Sequence, residues 1–242
     1  MVSAGVVATL LGSPRSPLDG AVSDPMLRNV LAGIAMGLTA IALIHSPWGK
    51  RSGAHMNPAV TLTFLRLGKI QRWDAVFFIA AQTVGGTIGV LLVAAVVGSA
   101  FTEAPVQYAA TMPGTAGPWI AFVAELSISA VLMFVILTLS GSASLARYTG
   151  LAAGCLVALY VSFESPLSGM SMNPARTFAS AAPGMLWEHF WIYVTAPVIG
   201  MLAGAQLSLA LRGARRLACA KLLHSANTRC IHCGYEPGST KP

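Results

Sequence analysis

The sequence predicts an all-α membrane protein: a helical bundle built from an inverted repeat. Three observations carry that expectation. Only 10% of the 242 residues are charged and 55% are hydrophobic, whereas soluble domains carry roughly 25% charge. A soluble globule needs more charge to cover its surface, and a disordered chain has far less apolar content, so both classes are excluded. Second, the apolar residues form continuous runs near 20 residues, the helix length that crosses about 30 Å of hydrocarbon. A transmembrane barrel would show weakly alternating segments of about ten residues instead. Third, the chain repeats itself: residues 52–61 read SGAHMNPAVT and residues 168–177 read SGMSMNPART, with seven of ten positions identical at an offset of 116.

The runs fall near residues 1–12, 29–46, 75–98, 118–140, 149–163 and 190–211. Five are long enough to span or nearly so. The first, MVSAGVVATLLG, covers only about 18 Å as helix. It has no basic start and no clear cleavage site, so it is not a signal peptide; it reads as the second half of a spanning helix. Each copy of the repeated decapeptide follows two runs and precedes a third. Three runs per repeat bring the copies into the membrane from opposite sides. The chain thus divides into a transmembrane domain, 1–211 (repeat one 1–98, repeat two 118–211), and a basic tail, 212–242.

Orientation follows from the basic residues. Lys50, Arg51, Arg66, Lys69, Arg72, Arg147, Arg212, Arg215, Arg216, Lys221, Arg229 and Lys241 share one side if the runs alternate. Only Arg15 and Arg28 fall on the other, and Arg176 sits in a semi-apolar stretch. The positive-inside rule places the tail in the cytoplasm. The net charge of +7 therefore reflects cytoplasmic loops rather than a nucleic-acid partner. The loop at 99–117 holds Glu103 and no basic residue, so it faces outward, and the inner or plasma membrane is the expected location.

Asn57-Pro58-Ala59 and Asn173-Pro174-Ala175 each start a helix. Asn is a good N-cap, and Pro suits the first turn, where its missing N–H costs nothing. The helices run from Ala59 to about Leu67 and from Ala175 to about Ala181, too short to span. Each is a half-helix reaching the midplane from its own side, with loop backbone that must be buried by protein or lined by water. The two Asn amides would meet near the bilayer centre and offer hydrogen bonds to a passing oxygen. Two positive dipole ends at one place favour neutral solutes and repel protons and other cations.

These doubled motifs, with Arg176 directly after the second, resemble the aquaporins, or major intrinsic proteins, over residues 1 to about 211. The resemblance implies six spanning helices, two half-helices, one pore per subunit, a homotetramer in the bilayer, passage of water and small neutral solutes, and no required cofactor. It places Arg176 at an outer constriction, completed by Met170, Val161 and Met36. Water-selective members commonly have His where Val161 stands, so the wall here is wider and more apolar. Glycerol-conducting members usually have Asp where Thr177 stands and Pro near Tyr193. The signals conflict, and ordinary helix packing is an open alternative for Met36, Val161 and Met170. Glu125, inside an apolar run, corresponds to a Glu that holds a motif-bearing loop. His55 precedes the first motif in a common family pattern and is expected to hydrogen-bond nearby loop backbone, with a pH-sensing gate as the alternative. The first repeat lacks its own Glu, which by family spacing would lie just before Met1. The expectation is that the natural protein starts ten or more residues earlier.

Paired glycines at i and i+4 (Gly85 and Gly89, Gly150 and Gly154, Gly200 and Gly204) suit close helix crossings in lipid. In the tail, Cys219, His224, Cys230 and Cys233 give C-x4-H-x5-C-x2-C. They could form a closed tetrahedral zinc site, with His232 competing as a ligand, or remain reduced thiols on a flexible end. No nucleophile–base set or phosphate-binding loop appears, so an enzyme is not expected. Two rivals to a channel stand: an ion-coupled transporter, and a non-conducting truncated protein or scaffold for a metal-binding tail.

Overall fold

The computed structural model describes residues 1–212, 219–224 and 229–236. Arg215, Arg216 and Lys241, three of the residues used for orientation, lie outside them. All regular structure among the described residues is helical: α1 (Val2–Gly12), α2 (Pro25–His45), α3 (Pro47–Ser52), α4 (Pro58–Arg66), α5 (Arg72–Val97), α6 (Ser99–Thr102), α7 (Pro118–Ser140), α8 (Thr149–Phe163), α9 (Ser165–Ser168), α10 (Pro174–Ala181) and α11 (Phe190–Arg212). Five helices are long and apolar enough to cross a membrane: α2, α5, α7, α8 with the turn before it, and α11. The first helix has 11 residues, about 16 Å.

Local chemistry sets the helix ends. The Asp24 carboxylate accepts from the Met26 N–H at 2.9 Å, and Pro25 opens α2 with no donor to leave unpaired. Ser46 ends α2 and caps α3. The short helices α3 and α9 carry no readable periodicity, and each precedes one of the repeated motifs. Each ends on a left-handed glycine, Gly53 (φ 93°) or Gly169 (φ 78°), which turns the chain toward the motif without a Cβ penalty.

The outer surface is apolar, as it must be when lipid is the solvent. Val96 is 85% exposed and Phe77 69%. All five Trp residues lie at or just before helix N-termini: Trp48, Trp73, Trp119, Trp187 and Trp191. An indole suits the membrane–water boundary, where one end is apolar and the other solvated.

Two close crossings hold the bundle, α2 on α8 and α7 on α11. A Cβ on Gly204 would lie 2.1 Å from the Ala130 carbonyl oxygen, and one on Gly200 2.2 Å from that of Leu126. Across α2 and α8, a Cβ on Gly37 would meet the Gly154 carbonyl oxygen at 2.6 Å. Gly85 departs from the expected pattern. A Cβ there would meet nothing within 4 Å, because that face of α5 borders the central cavity rather than a neighbouring helix. Gly204→Val should therefore cost at least the roughly 1–3 kcal/mol of an overpacked core and sharply reduce monodisperse protein extracted from membranes. Gly85→Ala should leave that yield unchanged.

The half-helices exchange partners: α10 packs on α5 and α4 on α11. Each half-helix thereby packs chiefly on the last spanning helix of the opposite half, which brings the two N-termini together at the centre.

Candidate functional site

Both Asn side chains cap their own helices and also reach the opposite loop. Asn57 Oδ1 accepts from the Ala59 N–H at 2.8 Å; Asn173 Oδ1 accepts from Ala175 at 3.1 Å and Arg176 at 3.2 Å. Asn57 Nδ2 donates to the Met172 carbonyl at 2.6 Å, and Asn173 Nδ2 donates to the Met56 carbonyl at 2.8 Å. Each amide has two N–H groups. One is spent on cross-bracing, and the other remains for the space between. Backbone strain marks both loops at equivalent places. Ala54 (φ 59°) and Met170 (φ 46°) are non-glycine residues in the left-handed region, costing of order 1–3 kcal/mol each.

Three donors of the second loop converge on Glu125, which is fully buried. Its carboxylate accepts from Ser168 Oγ at 2.9 Å, from the Ser171 N–H at 2.6 Å and from the Met172 N–H at 2.7 Å. Tyr193, also fully buried, donates its hydroxyl to the Ser168 carbonyl at 2.6 Å. Thr177 lies within hydrogen-bond reach of Ser171 Oγ.

The first loop is held differently. His55, 4% exposed, donates Nε2 to the Ala220 carbonyl at 2.8 Å. That acceptor is in the tail, 165 positions away, rather than in nearby loop backbone. The ring stacks on Phe64 at 5.0 Å between centroids, and Gln82 Nε2 donates to the His55 carbonyl at 2.6 Å.

A cavity of about 710 Å³ runs past both motifs. Asn57, Asn173, Arg176, Met36, Val161 and Met170 all line it. Arg176 directs Nη1 at the Thr111 hydroxyl, and among the described residues no ion pair holds it. Thr111 and Gln82 also reach the site, and no sequence pattern marks either. Thr111 comes from an irregular loop 65 positions away.

In the tail, Cys219, His224, Cys230 and Cys233 bring their ligand atoms within 4.8 Å of one another. Cys219 and Cys230 are buried, and their sulfurs lie 3.4 Å apart; His224 Nε2 lies 3.4 Å from Cys233 Sγ. Burial pushes the Cys219 thiol up to about 12. Burial also works against ionisation of Cys230, but the N–H groups of Cys233 and His232 and the neighbouring thiols outweigh it and pull that group down. His232 turns away from the cluster and donates Nε2 to the Ser52 carbonyl at 3.0 Å.

Residues 4–207 match the family model described as major intrinsic protein. A probable NIP-type aquaporin of Nicotiana alata is 36% identical over 177 residues, covering 71% of this chain and 62% of that protein. An aquaporin NIP1-4 of Oryza sativa subsp. japonica is 34% identical over 187 residues, covering 77% and 64%. The matched region thus spans about three fifths of the length of these relatives. Among solved structures, the aquaglyceroporin from Plasmodium falciparum superposes with a TM-score of 0.65 at 19% identity, over 85% of this chain and 88% of that one. That likeness concerns the fold.

Proposed function

The chain belongs to the major intrinsic protein family, and from that premise we propose that it is a passive channel for water and small neutral solutes, closed to protons and other ions. It is an integral, multi-pass membrane protein and not an enzyme. One observation carries the reading: two cross-braced Asn side chains and Arg176 border one continuous cavity. Each Asn keeps an N–H for a solute oxygen, and Arg176 adds fixed positive charge. A neutral molecule with an acceptor oxygen exchanges hydrogen bonds along this route. A cation meets Arg176 and two positive helix ends on the same route.

Met36, Val161 and Met170 add apolar lining to the same cavity, and Val161 leaves more room than an imidazole would. This favours a range beyond water, to small polyols, urea or neutral hydroxides. Glu125 serves as the anchor of the second loop and His55 as that of the first. The basic loops support a cytoplasmic tail, and the family resemblance supports a homotetramer in the inner or plasma membrane. Conduction along this route calls on no cofactor, and a zinc ion at the tail cluster would be structural. Stopped-flow light scattering on proteoliposomes tests the channel. Water permeability well above that of empty vesicles, with a low activation energy and no dependence on ionophores, is expected. Permeability equal to that of empty vesicles, or flux that follows an ion gradient, would reject it.

A further inference from the structure

We propose that Cys219, His224, Cys230 and Cys233 bind one zinc ion, and that this metal clamps the tail as a plug over the mouth of the cavity beside the first motif. The gating half of the proposal rests on the channel reading; the metal half does not.

The donor set suits zinc. Three thiolates and one imidazole make a closed structural site, with Zn–S near 2.3 Å and Zn–N near 2.0 Å. A tetrahedron of those dimensions has edges of about 3.5–3.8 Å. The sulfur–sulfur and nitrogen–sulfur separations of 3.4 Å and the 4.8 Å span of the whole set need only small adjustment to reach it. His232 completes the assignment by its absence from the cluster, since its Nε2 is committed to the Ser52 carbonyl.

What the cluster holds together is the surface that meets the channel. Ala220, next to Cys219, accepts from His55. Lys221 Nζ donates to the Lys50 carbonyl at 2.8 Å, and the Leu222 N–H donates to the Gly53 carbonyl at 3.2 Å. His232, between Cys230 and Cys233, lies 6.0 Å from the His55 ring and nearly parallel to it. All four receiving positions, Lys50, Ser52, Gly53 and His55, lie in the segment that leads into Asn57. Leu222 is 5% exposed and lines the cavity itself.

The described tail segments contain no helix or strand, and so short a segment has too little core to fix its own shape. A metal supplies that order by binding the folded arrangement alone. With zinc bound, Leu222 and the Ala220 carbonyl stay seated against the loop and narrow the mouth. Without it, the segment loses its internal cross-link, the contacts to residues 50–55 lapse, and the mouth opens.

The experiment uses the full chain. Metal content is read in detergent, without reference to conduction, on protein purified without chelator under reducing conditions. About one zinc per chain is expected, as a four-ligand site takes one ion, with Cys230→Ser/Cys233→Ser losing it. Absence of zinc, together with failure of added Co²⁺ to give thiolate charge-transfer absorption, overturns the site. A Cys219–Cys230 disulfide in its place does the same. Water flux is then read in proteoliposomes with EDTA on both faces. A several-fold rise on metal removal is expected. Leu222→Gly should keep its zinc and show the raised flux with or without EDTA, which separates opening of the mouth from misfolding. Unchanged flux in both, from a conducting and zinc-loaded protein, overturns the plug. No flux in any form, with zinc still bound, rejects the channel reading and the plug together while leaving the metal site standing.

Discussion

Glu125→Ala should abolish water flux and leave a protein that loses its fold in detergent at markedly lower temperature. The substitution removes one acceptor group from three donors: Ser168 Oγ, the Ser171 N–H and the Met172 N–H. The site is dry, since Glu125 has no exposed surface. Each buried donor left unpaired costs about 1–3 kcal/mol, so the loop loses several kcal/mol of support, a large share of a marginal stability. The loop must also keep Met170 and Met172 in left-handed backbone, and that strain persists only while the surroundings hold it. Once it relaxes, the Met172 carbonyl leaves Asn57 Nδ2, and the cross-brace between the two motifs fails. Glu125→Gln is the graded comparison. Its carbonyl oxygen can keep the two donors now on Oε1, while its amide opposes the Met172 N–H, so one bond is lost instead of three. Flux and thermal stability should fall in the order wild type, Gln, Ala. Equal behaviour of all three in unfolding by dye binding and in stopped-flow assays would show that Glu125 does not anchor this loop.

The parts of the site that could be read in the chain are those where local chemistry decides. Asn followed by Pro places an acceptor and a missing donor at adjacent positions, which sets the start of α4 and α10 whatever surrounds them. Glu125 stood out because a carboxylate in a run such as WIAFVAELSISAVLMF needs a reason. Two kinds of feature were hidden. Helices α3 and α9, of six and four residues, are too short to show a period. Their marks were Pro near the start and Ser-Gly at the end, present in both copies. Contacts across long separations carried no mark at all. Thr111 meets Arg176 from an irregular loop, and Ala220 meets His55 from a tail beyond the residues the family model matches. Gly37, four residues after Gly33, shows the same i, i+4 spacing as the glycine pair at the other crossing. Gly85 shows the limit of that spacing: it shares a face of α5 with Gly89, yet a Cβ on Gly89 would meet Met1 and Val2 while one on Gly85 would meet nothing.

Arg176→Val should produce a proton and cation leak while water and small neutral solutes pass as fast or faster. The wild-type barrier has three positive contributors that converge on one cavity. Arg176 carries a full charge, and the N-termini of α4 and α10 carry roughly half a charge each. A cation within about 4 Å of a full charge, at an effective dielectric near 20, is opposed by about 4 kcal/mol, roughly a thousandfold in occupancy. Removing Arg176 leaves the helix ends in place, so the leak should rise by about one to two decades rather than the whole of that factor. Valine also vacates the volume of the guanidinium in the cavity that Met36, Val161 and Met170 also line, which widens the way for glycerol and urea more than for water. Arg176→Lys separates the two effects. A lysine retains the charge, yet lacks the planar fork that reaches the Thr111 hydroxyl, so it should hold back protons and still pass larger solutes faster than wild type. The readouts are proton flux by an internal pH-sensitive dye and solute flux by light scattering, on one batch of vesicles for all three proteins. If Arg176→Val matches wild type in both, Arg176 stands outside the conduction route, and the ion barrier belongs to the paired helix ends alone.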